Sequence, residues 1–277
     1  MNKVKTGSFT LVKYLSLILA VISAVLPITV VFFTSFKTKE DYMSSNPLSL
    51  PKSFLNFDNY IRAFTEGNML RGFGNTLIIL VISLIGAILL GTMTAYVIHR
   101  FQFRARNYIM AAFLFATLIP GVTTQVATFQ IINALNLYNT RAATILLFMG
   151  TDIIAVYIFL QFMDSIPVSL DESAMLDGAS YLTIYRKIIM PLLKPAIVTV
   201  MIIKGVANYN NFYIPFLYMP SEELQVVSTA LFKFKGPYGT AWEVISAGCI
   251  IAIIPTLIMF VFAQKWVYSG ITQGSVK

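Results

Sequence analysis

Long apolar stretches near 12–34, 74–98, 108–128, 142–163, 195–218 and 242–264 constrain this chain more than anything else in it. A helix needs about 20 residues to cross a ~30 Å hydrocarbon core, and each stretch has that length. Lipid offers the backbone no hydrogen-bond partners, so a span must satisfy its own amides, and runs of this length do so as helices. The expectation is an all-α membrane protein with six transmembrane helices, forming one domain over 1–277. Composition agrees, since 57% of the 277 residues are hydrophobic, 12% are charged and the mean hydropathy is +0.75. An ordinary soluble domain is far more charged.

The first stretch follows Lys3 and Lys5, as a signal peptide would, but it is long and no A-x-A-type cleavage site closes it, so an uncleaved span is expected. Orientation follows from the basic residues. With the N-terminus inside, the cytoplasmic side receives Lys3, Lys5, Lys13, Arg100, Arg104, Arg106, Arg186, Lys187, Lys194, Lys265 and Lys277, against only Asp164, Asp171, Glu172 and Asp177. Positive residues are retained inside, which puts both termini and the 164–194 connection in the cytoplasm. The net charge of +8 is then a topology signal rather than a nucleic-acid surface. One cysteine, Cys249, excludes an internal disulfide, and with one histidine, His99, no Cys/His zinc constellation can be assembled.

The connection 164–194 is polar and amphipathic between spans that are neither. Ser169 and Glu172 have the spacing of a capping box, predicting a short helix from about Leu170. Gly178 suits the left-handed conformation that stops a helix, and Pro191 is expected to end a second one. In that second helix Tyr181, Ile184, Tyr185 and Ile188 form one apolar stripe, with Arg186 and Lys187 off it. Asp177 at the negative end of the first helix dipole either N-caps the second helix or serves a partner. These features fit a hairpin lying on the membrane surface as well as one that docks a partner.

The residues also carry a resemblance. Glu172, Ser173, Ala174, Asp177, Gly178 and Ala179, followed by Ile188 and Pro191, resemble the E-A-A, D-G-A and I-x-L-P signature of bacterial ABC-importer permeases, with Ser173 and Met190 as mild departures. The resemblance implies that this loop is the coupling helix seated on a separate ATP-hydrolysing subunit. It implies the type I importer fold, and as partners a second permease subunit, two ATPase subunits, an extracytoplasmic sugar-binding protein and the lipid bilayer, with no nucleic acid. The tail Gln264–Lys277 is similar to the ending of maltose-type permeases, matching at Gly270, Thr272, Gly274, Val276 and Lys277, which implies a tail reaching toward the ATPase pair. No G-x-x-x-x-G-K-[ST] loop occurs, so ATP and magnesium are expected in the partner and this chain is expected to hold no cofactor and to catalyse nothing itself.

Charges and amides at membrane depth mark a candidate pathway, because each buried charge costs about 2.5–3.5 kcal/mol on insertion scales. Asp152 and Lys204 qualify, and close to Lys204 comes the run Asn208, Tyr209, Asn210, Asn211, Phe212. Amides and phenols exchange hydrogen bonds with hydroxyls while aromatic faces cover the C–H side of a sugar ring; the same residues could equally join neighbouring helices. The run is similar to the W-N-D-F-type segment of sugar permeases, without its Trp and acid. Between the first two spans, Ser35-Phe36-Lys37 and the Asn59-Tyr60 to Phe64 segment also resemble carbohydrate-uptake permeases, with a short helix expected near Asn59–Phe64. In the 99–107 connection Arg100, Arg104 and Arg106 can pair with lipid phosphates or with a partner's acids, lipid being the favoured expectation, and Pro120-Gly121 should kink or end the third span. Together these imply a di- or oligosaccharide importer of raffinose or multiple-sugar type in the bacterial cell membrane; the alternatives are uptake of another small polar solute or a stand-alone secondary carrier. A secondary carrier would call for an internal repeat, and an intramembrane hydrolase for a nucleophile–base pair; neither is evident.

Overall fold

The computed structural model describes the backbone of residues 2–150, 153–236 and 239–273. In order, the helices are α1 (Asn2–Phe36), α2 (Lys39–Ser44), α3 (Asp58–Thr65), α4 (Met69–Arg100), α5 (Arg106–Leu118), α6 (Gln125–Ala134), α7 (Arg141–Met149) and α8 (Ile153–Met163). Next come α9 (Ser169–Leu176), α10 (Tyr181–Ile184), a π-turn (Tyr185–Ile189), α11 (Met190–Leu192), α12 (Lys194–Tyr209), α13 (Tyr213–Tyr218), α14 (Val227–Ala230) and α15 (Trp242–Gln273). A two-stranded ribbon, β1 (Lys235–Gly236) against β2 (Gly239–Thr240), precedes α15.

Among the described residues three helices are long and apolar enough to cross a membrane unbroken: Val12–Phe36, Met69–Arg100 and Trp242–Phe262. Two bent pairs, α7 with α8 and Tyr181–Leu192 with Lys194–Tyr209, give up to five if each pair counts as one span. The stretch 108–128 is broken at Pro120-Gly121, as its sequence leads one to expect. It divides into α5 and α6 around Pro120, whose ring removes a donor, and α5 has 13 residues. At ~1.5 Å per residue that length falls short of a ~30 Å core. The stretch 195–218 departs from a single helix: α12 stops at Tyr209 and α13 starts at Tyr213, so the polar run sits at a helix break.

The chain divides into two compact units. In the first, Met1–Leu70 with Ala230–Pro255, the two carbohydrate-permease-like segments of the sequence bind each other. Asn59 Nδ2 donates to the Ser35 and Lys37 carbonyls at 2.9 and 2.8 Å, and the Ser35 and Tyr60 hydroxyls pair at 2.7 Å. Burial pushes the Tyr60 phenol above its usual pKa, with the Ser35 hydrogen bond pulling the other way. The expected helix is α3, and α2, which the sequence reading lacked, is N-capped by Thr38 accepting from the Asp41 amide. Lys37 is 1% exposed. Its ammonium donates to Ser45 Oγ, the Asn46 carbonyl and Ser49 Oγ at 3.0, 2.8 and 2.9 Å, which satisfies its three protons.

The second unit is Arg71–Thr229 with Thr256–Lys277. Its largest core joins the end of α4 (Ala95, Tyr96), α8 (Ala155, Phe159, Met163), the hairpin (Ile184, Tyr185, Ile189, Leu193) and the start of α12 (Ala196, Val200). Within the same unit Asn75 Nδ2 donates to the Glu223 and Gln225 carbonyls, and its Oδ1 accepts from Arg141.

Candidate functional site

The hairpin 164–193 is two short helices turned at Gly178, whose φ of +81° lies where an L side chain is strained. The caps differ from those the sequence suggests. Helix α9 begins at Ser169 itself, after Val168, and no capping box forms; Pro167 and Val168 carbonyls already accept from the Leu170, Asp171 and Glu172 amides. Asp177 is the C-cap of α9, and Ser180 N-caps the second helix, its hydroxyl accepting from the Thr183 amide at 3.3 Å. Pro191 does not end that helix. A π-turn over Tyr185–Ile189 lets it run to Leu192, and a 72° bend then leads into α12. The wider turn also shifts the apolar stripe, so that Ile184, Tyr185 and Ile189 are buried while Ile188 is half-buried and Tyr181 exposed.

The signature residues divide by face. Glu172, Ser173, Asp177, Gly178 and Pro191 are exposed, whereas Ala174, Ala179 and Ile188 pack half-buried against the core beneath. Leu176, at 89% exposed, is the most prominent apolar group on the turn. A surface of two carboxylates around a bare leucine can dock a partner with a basic-rimmed apolar groove.

Behind that surface lies a network the sequence did not reveal. Asp171, adjacent to exposed Glu172, turns inward and is 4% exposed. Its Oδ2 lies 2.7 Å from Arg100 Nε, with both side chains almost wholly buried. Arg100 also donates to the Ile166 carbonyl at 2.9 Å, so the expectation that it anchors to lipid phosphate is corrected: it is claimed by this chain's own acid and backbone. His99 Nε2 meets Asp164 Oδ1 at 2.9 Å, and the Thr92 and Tyr185 hydroxyls pair at 2.7 Å. The available signal was an arginine at a helix C-terminus and an acid beside Glu172, neither unusual alone. Arg104 is exposed, and Arg106 is half-buried.

Three of the candidate pathway residues, Lys204, Asn208 and Asn211, line a cavity of about 430 Å³ between α7, α8 and α12, with Phe148, Ile154 and Ile158 in its apolar wall. Lys204 Nζ donates to the Gly150 carbonyl at 2.8 Å. The Asn208 amide nitrogen is buried and makes no hydrogen bond among the described residues. Asn211 Oδ1 is engaged at the start of α13, where Phe212 is the N-cap residue, accepting from the Ile214 amide at 2.9 Å. Tyr209 lines a separate small crevice, Asn210 is exposed outside the cavity, and Phe212 stacks on Phe216 with centroids 5.0 Å apart. Of the five-residue run, then, the fold brings Asn208 and Asn211 together with Lys204. Asp152 lies outside the described residues, as do Gly274, Val276 and Lys277; Gly270 and Thr272 are in α15.

Comparison with known proteins gives a consistent result. Residues 87–273 match the family described as binding-protein-dependent transport system inner membrane component. The arabinooligosaccharides transport system permease protein AraQ of Halalkalibacterium halodurans is 30% identical over 92% of this chain and 91% of its own length. The melibiose/raffinose/stachyose import permease protein MelC of Bacillus subtilis is 27% identical over the full length of both. A crystal structure of a bacterial ABC transporter involved in the import of the acidic polysaccharide alginate contains a chain that superposes with a TM-score of 0.80 at 21% identity, covering 93% of this chain and 95% of that one.

Proposed function

Because the chain belongs to the family of binding-protein-dependent transport system inner membrane components, we propose that it is one of two permease subunits of an ABC importer for di- or oligosaccharides. The family is the membrane-embedded permease part of such transporters and is not itself catalytic. The observation that carries the reading is the hairpin, a rigid polar knob whose signature residues Glu172, Ser173, Asp177 and Gly178 are exposed while Ala174, Ala179 and Ile188 fix it from behind.

In this reading all of 1–277 is one translocation domain that crosses the membrane six times. Both termini are cytoplasmic, and the broken pair α5 and α6 makes one crossing. The hairpin occupies a groove on one of two ATPase subunits, which hold ATP and magnesium. The C-terminal residues Gly270, Thr272, Gly274 and Lys277 extend toward the ATPase pair. An extracytoplasmic binding protein delivers the sugar, and closure of the ATPases moves the hairpins as rigid bodies so that the spans rock between outward- and inward-open states. The cavity at Lys204, Asn208 and Asn211 is this subunit's part of the pathway, and Asp152, Tyr209, Asn210 and Phe212 are further candidates for contact with the solute along it. Its mixture of amide donors and apolar wall suits neutral polyols. The sugars named for AraQ and MelC support an oligosaccharide of the raffinose or multiple-sugar class.

The test is to purify the tagged chain in mild detergent, identify what accompanies it by mass spectrometry, and measure sugar uptake by the reconstituted assembly. Recovery of an ATPase and a second permease, with ATP-dependent uptake of an oligosaccharide, is expected. A chain that purifies alone and transports unaided would overturn the proposal.

A further inference from the structure

Apart from the Ser165 hydroxyl, which donates to the Phe162 carbonyl at the end of α8 three residues back, the side-chain hydrogen bonds and ion pairs that join 164–192 to another helix, among the described residues, end on α4. Asp164 meets His99, the Ile166 carbonyl and Asp171 both meet Arg100, and Tyr185 meets Thr92. Aromatic contacts follow the same route: Tyr96 packs on Tyr185 with centroids 5.6 Å apart, and Phe101, just past the helix end, packs on Tyr181 at 5.0 Å. Thr92, Tyr96, His99 and Arg100 recur at i, i+4, i+7 and i+8, a single face of α4. By contrast, the covalent continuation of the hairpin into α12 passes through the 72° bend at Leu193. At that bend the hairpin and α12 share apolar packing around buried Leu193, Ala196 and Val200, which is non-directional, whereas α4 is tied to the hairpin by directional polar contacts that include a buried ion pair.

We infer that the hairpin and the last turns of α4 move as one rigid piece, that α4 rather than α12 is the first span to receive a displacement of the hairpin, and that Arg100 is the positioning residue that fixes the two together. This rests on the reading of the hairpin as the ATPase contact. Arginine suits the role because its extended planar group hydrogen-bonds the Ile166 carbonyl before α9 through Nη2 while its Nε edge lies in ion-pair contact with the Asp171 carboxylate within α9; a lysine ammonium is a single point of charge.

The experiment uses the whole importer in vesicles, with Cys249→Ser to remove the native thiol. Cysteines are placed at Phe101 and Tyr181 and bridged by a short bis-methanethiosulfonate reagent, which spans the space the two rings leave, and the same preparation is compared bridged and after reduction has removed the bridge. Rapid bridging with an unchanged rate of ATP-dependent uptake is the expected result. Failure to bridge, or a loss of uptake on bridging that reduction reverses, would show that the two ends must separate and would overturn the inference.

A second measurement separates positioning from simple folding. Arg100→Gln is expected to retain the ATPase in the purified complex and to hydrolyse ATP, while sugar moved per ATP falls by about tenfold, the scale of a lost coupling interaction. Arg100→Lys should recover part of that ratio. An unchanged ratio, or equal losses of hydrolysis and uptake with the ATPase no longer co-purifying, would refute the positioning role. If the unmodified assembly shows no ATP-dependent uptake at all, the functional proposal fails before the variants are compared.

Discussion

Arg100 Nε and Asp171 Oδ2 lie 2.7 Å apart with side chains 4% and 6% exposed, joining the end of a membrane-length helix to the first helix of the hairpin. Taking two such charges out of water is expensive, so the pair is better understood as a device for position than for net stability. Removing one partner leaves the other buried and uncompensated. Arg100→Ala should therefore destabilise by about 3–5 kcal/mol, whereas replacing both residues by well-packed apolar side chains should be milder. Thermal unfolding of the detergent-solubilised chain, followed by exposure of the half-buried Cys249 thiol, distinguishes the two.

The Thr92–Tyr185 hydroxyl pair is a smaller bolt in the same assembly. Tyr185→Phe and Thr92→Val should each cost about 1 kcal/mol and the double variant little more, because either change already breaks the bond. Strictly additive losses in a double-mutant cycle would mean that the bond contributes nothing.

At the turn, Gly178→Asp places a Cβ where φ is +81° and adds a charge beside Asp177; Glu172→Lys reverses an exposed charge one turn away. Neither alters an apolar span, so both should insert normally into the membrane and abolish sugar uptake. Wild-type uptake by both variants, at equal membrane abundance, would remove the docking role from this face.

The polar run divides its members between two tasks. Asn211 accepts from the Ile214 amide in the first turn of α13, so Asn211→Ala should lower stability by about 1 kcal/mol, as losing one intramolecular hydrogen bond does. Asn208, with an unbonded amide nitrogen at the cavity, should when changed to Ala raise the KM for sugar while leaving assembly intact. Asn210→Ala, outside the cavity, should have the smallest effect of the three. Uptake kinetics across a panel of oligosaccharides, alongside melting curves, would resolve the three behaviours.

Lys37 gives a control in the other unit. Its buried ammonium ties 37 to 45, 46 and 49. Charge-assisted hydrogen bonds contribute about 1.5–3 kcal/mol each, so Lys37→Met should loosen this connection and speed its limited proteolysis, while Lys39→Met, at an exposed position, should not. Equal protection of both variants would contradict the cage.

How much of this was legible in the sequence depends on the range of the interaction concerned. Lipid-length apolar runs, the turn at Gly178, the break at Pro120 and the short helix at 58–65 follow from local rules, because each depends on a residue's own backbone freedom or on its near neighbours. The alternation of basic loops and the E-A-A, D-G-A signature are likewise present in the letters alone. Tertiary structure decided which of two adjacent acids, Asp171 or Glu172, turns inward, because only Asp171 meets an arginine brought back from the end of α4. It displaced the expected capping box with earlier carbonyl acceptors, and carried the second helix through Pro191 by a π-turn that seats Ile189 rather than Ile188 in the core. It also gathered Lys204 with Asn208 and Asn211 around one cavity while leaving Asn210 outside. The physical reason is the same each time. Capping, turns and hydropathy act over a few residues, whereas a buried ion pair and a cavity exist only after distant segments have packed, and no local pattern records their meeting.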